Sequence, residues 1–276
     1  MNIVISGLGI IGGSFAKAIR KYTDHYIIGI NRSPAPLEAA LEQGAIDEIG
    51  GDGAVEKADI IILGMFPQAS VDFVRRNAER IPKGCIVIDS AGIKSEICPE
   101  LSSLAKENGF EFVGVHPMAG KEKNGFDASE ADLFNGASCI IIPGAASDEA
   151  VDRIVKLAEK IGFGRIVFST PEEHDRMIAF TSQLPHVLAC AYVMSPVCKN
   201  HKGFSAGSYR DVSRVAHINE KLWTELFIEN KAPLVQELDI LVENITNIKN
   251  AVEKGDRSEL EALLAKSRMI KEELGE

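Results

Sequence analysis

Four short aliphatic runs, NIVIS (2–6), YIIGI (26–30), DIIIL (59–63) and CIVID (85–89), are each followed by a longer segment with helical spacing, among them IIGGSFAKAIRKY, PLEAALEQGA and ASVDFVRRNAERI. Within the runs apolar residues are consecutive instead of alternating, which suits strands covered on both faces and therefore a parallel sheet between helix layers. A βαβ series of this kind predicts an α/β fold. Further runs, EFVGV, SCIIIP and RIVFS, extend the expected sheet to about residue 167, around the helical segment EAVDRIVKLAEKIG.

After Pro171 the strand signal ends. EEHDRMIAFTSQLPHVLACAYVM, KLWTELFIENKAPLVQELDILVENITNIKNAVEKG and SELEALLAKSRMIKEELG all have helical spacing. The expected division is a nucleotide-binding sheet domain over residues 1–168 and an all-helical domain over 169–276, with the boundary at the STP of 169–171. Long amphipathic helices without a sheet to cover them point to a homodimer through the second domain, a self-contained bundle being the alternative.

A formal charge of −10 disfavours nucleic acid as a partner, because phosphate neutralisation needs a dense cationic face. An anionic substrate would need a few locally placed basic groups. The five cysteines form no CxxC pair or His-spaced cluster, so no metal site or disulfide framework is expected and a reducing cytoplasm is the simplest compartment. The N-terminus lacks the charged flank and cleavage site of a secretory leader, and no apolar run reaches the ~20 residues of a membrane span.

Directly after the first run, Gly7, Gly9 and Gly12 stand at GxGxxG spacing in the segment Gly7-Leu8-Gly9-Ile10-Ile11-Gly12. On the first strand of a βαβ unit this is the turn of a Rossmann-type domain: Gly7 for the tight bend, Gly9 for close approach of a pyrophosphate, and Gly12 for packing of the helix whose N-terminus faces the phosphates. An NAD site usually ends its second strand in a carboxylate that accepts from the ribose 2′-OH. YIIGI is followed instead by Asn31, Arg32 and Ser33, which favours NADP through Arg32 and Ser33, with NAD held through Asn31 as the alternative.

Ligands of open α/β sheets bind beyond the carboxyl ends of the strands, where EFVGV delivers His116 in GVHPMAG. An imidazole there can take a hydroxyl proton while the same carbon gives up hydride. DSAGIK adds Ser90 and Lys94, TSQLPH adds Ser182 and His186 four apart, and GSYRDVSRVA adds Arg210 and Arg214, also four apart. Together these read as donors for a small anion.

With GLGIIGGS, HPMAG, SQLPH and RDVSRVA followed by LW, in that order along almost the whole chain, the sequence resembles the prephenate dehydrogenases and the related arogenate dehydrogenases. The resemblance implies a nucleotide-binding domain followed by a helical dimerisation domain, and an oxidative decarboxylation of prephenate to 4-hydroxyphenylpyruvate in tyrosine biosynthesis. It implies that His116 accepts from the C4 hydroxyl, that Arg214 binds a substrate carboxylate, and that His186 lines the pocket, with Ser182, Gln183 and Arg210 as further contacts. Arg210 has a structural alternative beside Asp211.

Two positions depart from the family pattern: Gly92 stands where many members carry a serine, and Gln183 where many carry histidine. Lys121 and Lys123 flank Glu122 in what reads as a solvated, salt-bridged loop. Arogenate is the rival substrate; a reductase of β-hydroxy or imino acids and a non-catalytic dinucleotide sensor are the more distant alternatives.

Overall fold

The structure is a computed structural model, and it describes residues 1–121 and 123–275. Eight strands form one sheet: β1 (Asn2–Ser6), β2 (Tyr26–Ile30), β3 (Glu48–Ile49), β4 (Ile60–Leu63), β5 (Ile86–Asp89), β6 (Glu111–Pro117), β7 (Ser138–Ile142) and β8 (Arg165–Phe168). Their order is β3-β2-β1-β4-β5-β6-β7-β8, parallel from β3 to β6. Alternate residues of each run enter opposite apolar layers. Ile3, Ile5, Ile60, Ile62, Ile86 and Ile88 face one, while Val4, Ile61, Leu63 and Val87 face the other, which is why these runs contain no polar alternation.

Helices α1 (Ile10–Tyr22), α2 (Pro34–Glu42), α3 (Pro67–Asn77), α4 (Cys98–Asn108) and α5 (Asp148–Lys160) supply the covering layers. The strand order reverses at β1, between β2 and β4, so the crevice beyond the β1 and β4 ends is the expected dinucleotide position.

The parallel expectation needs one correction: β7 runs antiparallel to β6, pairing His116 with Ile140. Between them the described chain forms a 3-10 helix at Phe126–Ala128 and turns over 131–136, and without a crossover helix it returns beside the strand it has just left. β8 is parallel to β7 again, joined through α5.

The helical part comprises α6 (Pro171–Ile178), α7 (Leu184–Val193), α8 (Gly207–Ser213), α9 (Glu220–Glu229), α10 (Lys231–Lys254) and α11 (Arg257–Glu273). The expected single helix through TSQLPH is interrupted: Ala179–Gln183 is a π-helical turn, closed by the Leu184 N–H on the Ala179 carbonyl. Pro185 has no N–H to continue the regular ladder, and the wider turn lets α7 start afresh. The stretch after KLW also divides, at the buried Asn230, into α9 and α10. No described helix is long and apolar enough to cross a membrane.

Candidate active site

The glycine-rich turn has the three properties its spacing requires. Gly7 adopts φ +95°, a left-handed conformation open to glycine, and a Cβ on Gly12 would lie 1.9 Å from the Gly7 carbonyl oxygen. Around Gly9 nothing lies within 4 Å of an added Cβ, leaving the backbone at the N-terminus of α1 approachable by a phosphate. Leu8 is buried in the core, while Ile10 and Ile11 begin α1 half-buried. These residues fit a dinucleotide.

At the end of β2 the Asn31 side chain faces the same turn, accepting from the Leu8 N–H at 3.0 Å and donating to the Ser33 carbonyl at 3.0 Å. Asn31 thus braces the phosphate loop. Arg32 and Ser33 are exposed beside it.

His116 lies at the carboxyl end of β6, and its Nδ1 is 2.8 Å from His174 Nε2 on α6. His174 Nδ1 is in turn 2.7 Å from Asp175 Oδ1. The start of α6 is dictated locally: Thr170 accepts from the Glu173 N–H in an S/T-x-x-E arrangement, and Pro171 occupies the first turn. That start places His174 and Asp175 beside the β5 and β6 ends, where Asp175 also accepts the main-chain N–H groups of Lys94 at 2.8 Å and Ser95 at 2.7 Å.

Burial, then the neighbouring His174 ring and the Lys94 ammonium, hold His116 well below the ordinary histidine range. Burial lowers His174 as well, against the opposing bond to Asp175. Burial works to raise Asp175, but the bonds from His174 and Ser95 outweigh it and keep the carboxyl below its usual range. The proton positions follow. A carboxylate only accepts, so His174 Nδ1 carries the hydrogen; neutral His174 then accepts at Nε2 from His116 Nδ1–H. His116 therefore offers the lone pair of Nε2, and it is neutral at pH 7.

Beside that nitrogen lies Gly92. A Cβ built on Gly92 would lie 4.0 Å from His116 Nε2 and 3.4 Å from Leu226 of α9. One turn earlier on α9, Trp223 stacks on His186 with ring centroids 3.7 Å apart. His186 Nδ1 lies 2.8 Å from the Ser182 carbonyl, a group set at the π-turn, and Ser182 itself is half-buried there. The short turn carrying Arg214 packs against α7, whereas Arg210 is exposed and pairs with Asp211 at 3.5 Å.

Two expected contacts are corrected. Gln183 is buried, donating to the Leu226 carbonyl at 2.9 Å and accepting from Asn230 Nδ2 at 2.7 Å, so its amide braces the wall instead of facing a ligand. Lys94 is 0% exposed and its ammonium is fully engaged by protein oxygens, so it is no donor for a small anion. Ser90 donates to the Leu63 carbonyl at 2.8 Å. Lys121 pairs with Glu130, and Glu122 lies outside the described residues. The sequence reading missed His174 and Asp175; an adjacent His-Asp pair in the first turns after the domain boundary was the available signal.

A neutral imidazole acceptor at a strand end, on a domain shaped for a dinucleotide, can hold a hydroxyl whose carbon loses hydride. Both parts of the chain are similar to known proteins. A family model described as the prephenate dehydrogenase nucleotide-binding domain matches residues 15–167, and one described as the prephenate dehydrogenase dimerization domain matches residues 170–266. Prephenate dehydrogenase of Bacillus subtilis is 31% identical over 272 residues, covering 94% of this chain and 72% of that one. Among solved structures, Synechocystis arogenate dehydrogenase superposes with TM-score 0.84 at 27% identity, covering 99% of this chain and 100% of that chain. The A. aeolicus prephenate dehydrogenase in complex with hydroxyphenyl propionate and NAD+ gives TM-score 0.88 at 24% identity, covering 99% and 98%, and supports the fold. This chain belongs to the prephenate dehydrogenase family.

Proposed function

We propose that the protein oxidatively decarboxylates prephenate to 4-hydroxyphenylpyruvate. The observation that carries this reading is the His116–His174–Asp175 chain, which presents a neutral Nε2 beside Gly92. A bound nicotinamide dinucleotide supplies the hydride acceptor. His116 accepts the hydrogen bond of the C4 hydroxyl, favouring departure of hydride from the same carbon; the ring carboxylate leaves as carbon dioxide and the ring becomes aromatic. No net proton is released, so His116 returns what it takes to the phenol oxygen.

Arg214 is assigned to a substrate carboxylate, for which a guanidinium fork is suited, and His186 and Ser182 to the pocket wall. NADP is the favoured cofactor, because no carboxylate at the end of β2 repels a 2′-phosphate and Arg32 and Ser33 are exposed there. The exposed apolar stripe of α10 supports a homodimer, and the buried thiols of Cys85, Cys98 and Cys139, each pushed up to about 12 by burial, suit a reducing cytoplasm.

Arogenate is a second reading, favoured by the likeness to the Synechocystis arogenate dehydrogenase. Reduced-nicotinamide absorbance, measured with prephenate or arogenate against NAD or NADP, tests both. Turnover of prephenate with NADP is expected; turnover of arogenate alone moves the substrate assignment, and silence with both refutes the reaction.

A further inference from the structure

Lys94 is unusual in the sheet domain: a lysine with 0% exposure, ion-paired to the equally buried Asp89. Its ammonium also donates to the Ala91 carbonyl at 2.9 Å and to the Val115 carbonyl at 2.8 Å. Val115 immediately precedes His116, and its N–H is held at 3.1 Å by the other oxygen of Asp89. From the same residue, the main-chain N–H donates to Asp175, the carboxylate that anchors His174. Burying such a pair carries a desolvation cost that well-packed apolar residues would avoid, so a purely stabilising role is a weak explanation for it.

We propose that Lys94 is a positioning residue for the reaction: its ammonium fixes the end of β6 from which His116 projects, while its main-chain N–H fixes the Asp175 carboxylate that orients the histidine pair. One residue thus sets the acceptor from both sides of the domain boundary. The titratable and charged groups facing the two rings are His174 and Asp175 from α6 and Lys94 and Asp89 from the β5 end; α9 presents the apolar Leu226 near Gly92. The Lys94 charge opposes a second positive charge on either imidazole, which keeps Nε2 an acceptor.

The proposal rests on His116 being the acceptor, and its test separates the two ideas. In the whole protein, Lys94→Met and the charge-balanced pair Lys94→Met with Asp89→Asn are assayed for kcat, KM and the pH profile of kcat/KM. The expected result is a loss of about tenfold or more in kcat, little change in either KM, and, in Lys94→Met, an acid limb moved to higher pH. Wild-type kcat and an unmoved limb in a folded variant overturn the proposal. Imidazole 15N spectra of the unaltered protein and of Lys94→Met, with His116 assigned by His116→Asn, need no turnover. One fixed neutral Nδ1–H form of His116 at pH 6 to 8 is expected in the unaltered protein, with its loss in Lys94→Met; a protonated ring or averaged tautomers at pH 7 in the unaltered protein, or the same fixed form in both proteins, overturns the proposal. If wild-type protein turns over no cyclohexadienyl substrate, the reaction assignment fails while these spectra still decide the positioning.

Discussion

In the sheet domain, β1, β4 and β5 are enclosed by two apolar layers; in the helical part, α10 buries only Leu234 and Ala251, and α11 buries no residue. Val235, Val242, Ile245 and Val252 are exposed on α10 at steps of seven and three, forming one stripe along the helix. The two halves therefore stand differently toward water. The sheet completes its core within the chain and can hold a reacting group rigidly at a strand end, whereas the long helices leave an apolar face that a second copy would cover. The site draws on both: the sheet supplies His116, and α6 supplies the pair that orients it.

The sharpest break in this comparison is expected from His116→Asn, which should lower kcat by about 10²–10⁴-fold, the usual contribution of a positioned general base, and leave dinucleotide affinity unchanged in a direct titration. Next, Ile62→Ala in the sheet should cost about 2–5 kcal/mol in denaturant unfolding, because the surrounding layers cannot collapse onto the cavity. On the helical side, Val242→Glu with Ile245→Glu should convert a dimer to a monomer in sedimentation, with the unfolding midpoint falling by mass action. An unchanged mass would leave the stripe without its assigned cover.

The smallest effect lies at the end of α9. Glu229 is pushed up to about 7 by burial and by the neighbouring Glu225 and Glu96, and its Oε2 has no hydrogen-bond partner among the described residues. Its folded-state pKa is raised, so stability is full below the unfolded value near 4.5 and is lost as pH rises through about 7. Glu229→Gln should add about 1 kcal/mol at pH 8, discounted for partial exposure, and much less at pH 4.5.

The sheet and its phosphate turn were legible because burial on both faces writes itself into continuous runs such as IIIL, and because Gly7, Gly9 and Gly12 answer to local backbone geometry. The direction of β7 was not legible, since it depends on the path of the loop after His116 rather than on the composition of the strand. The same limit applied to the site. His116 is legible from its place at a strand end, but the burial of Lys94 and Gln183 is not, because Val115, Leu226 and Asn230 come from other elements and the nearby Asp89 is buried only by the assembled sheet. His174 and Asp175 stand out in the sequence only as an adjacent pair after the boundary; the docking of α6 against β6 is what gives them a role.

The most direct test of the account is the pH dependence of kcat/KM for prephenate in the unaltered enzyme. Because the folded protein holds His116 well below the ordinary value near 6.5, the acceptor stays neutral as pH falls through that value, and activity should remain level from pH 8 to below 6.5 before declining. An acid limb at or above the ordinary histidine pKa would contradict a neutral, half-buried His116 as the acceptor.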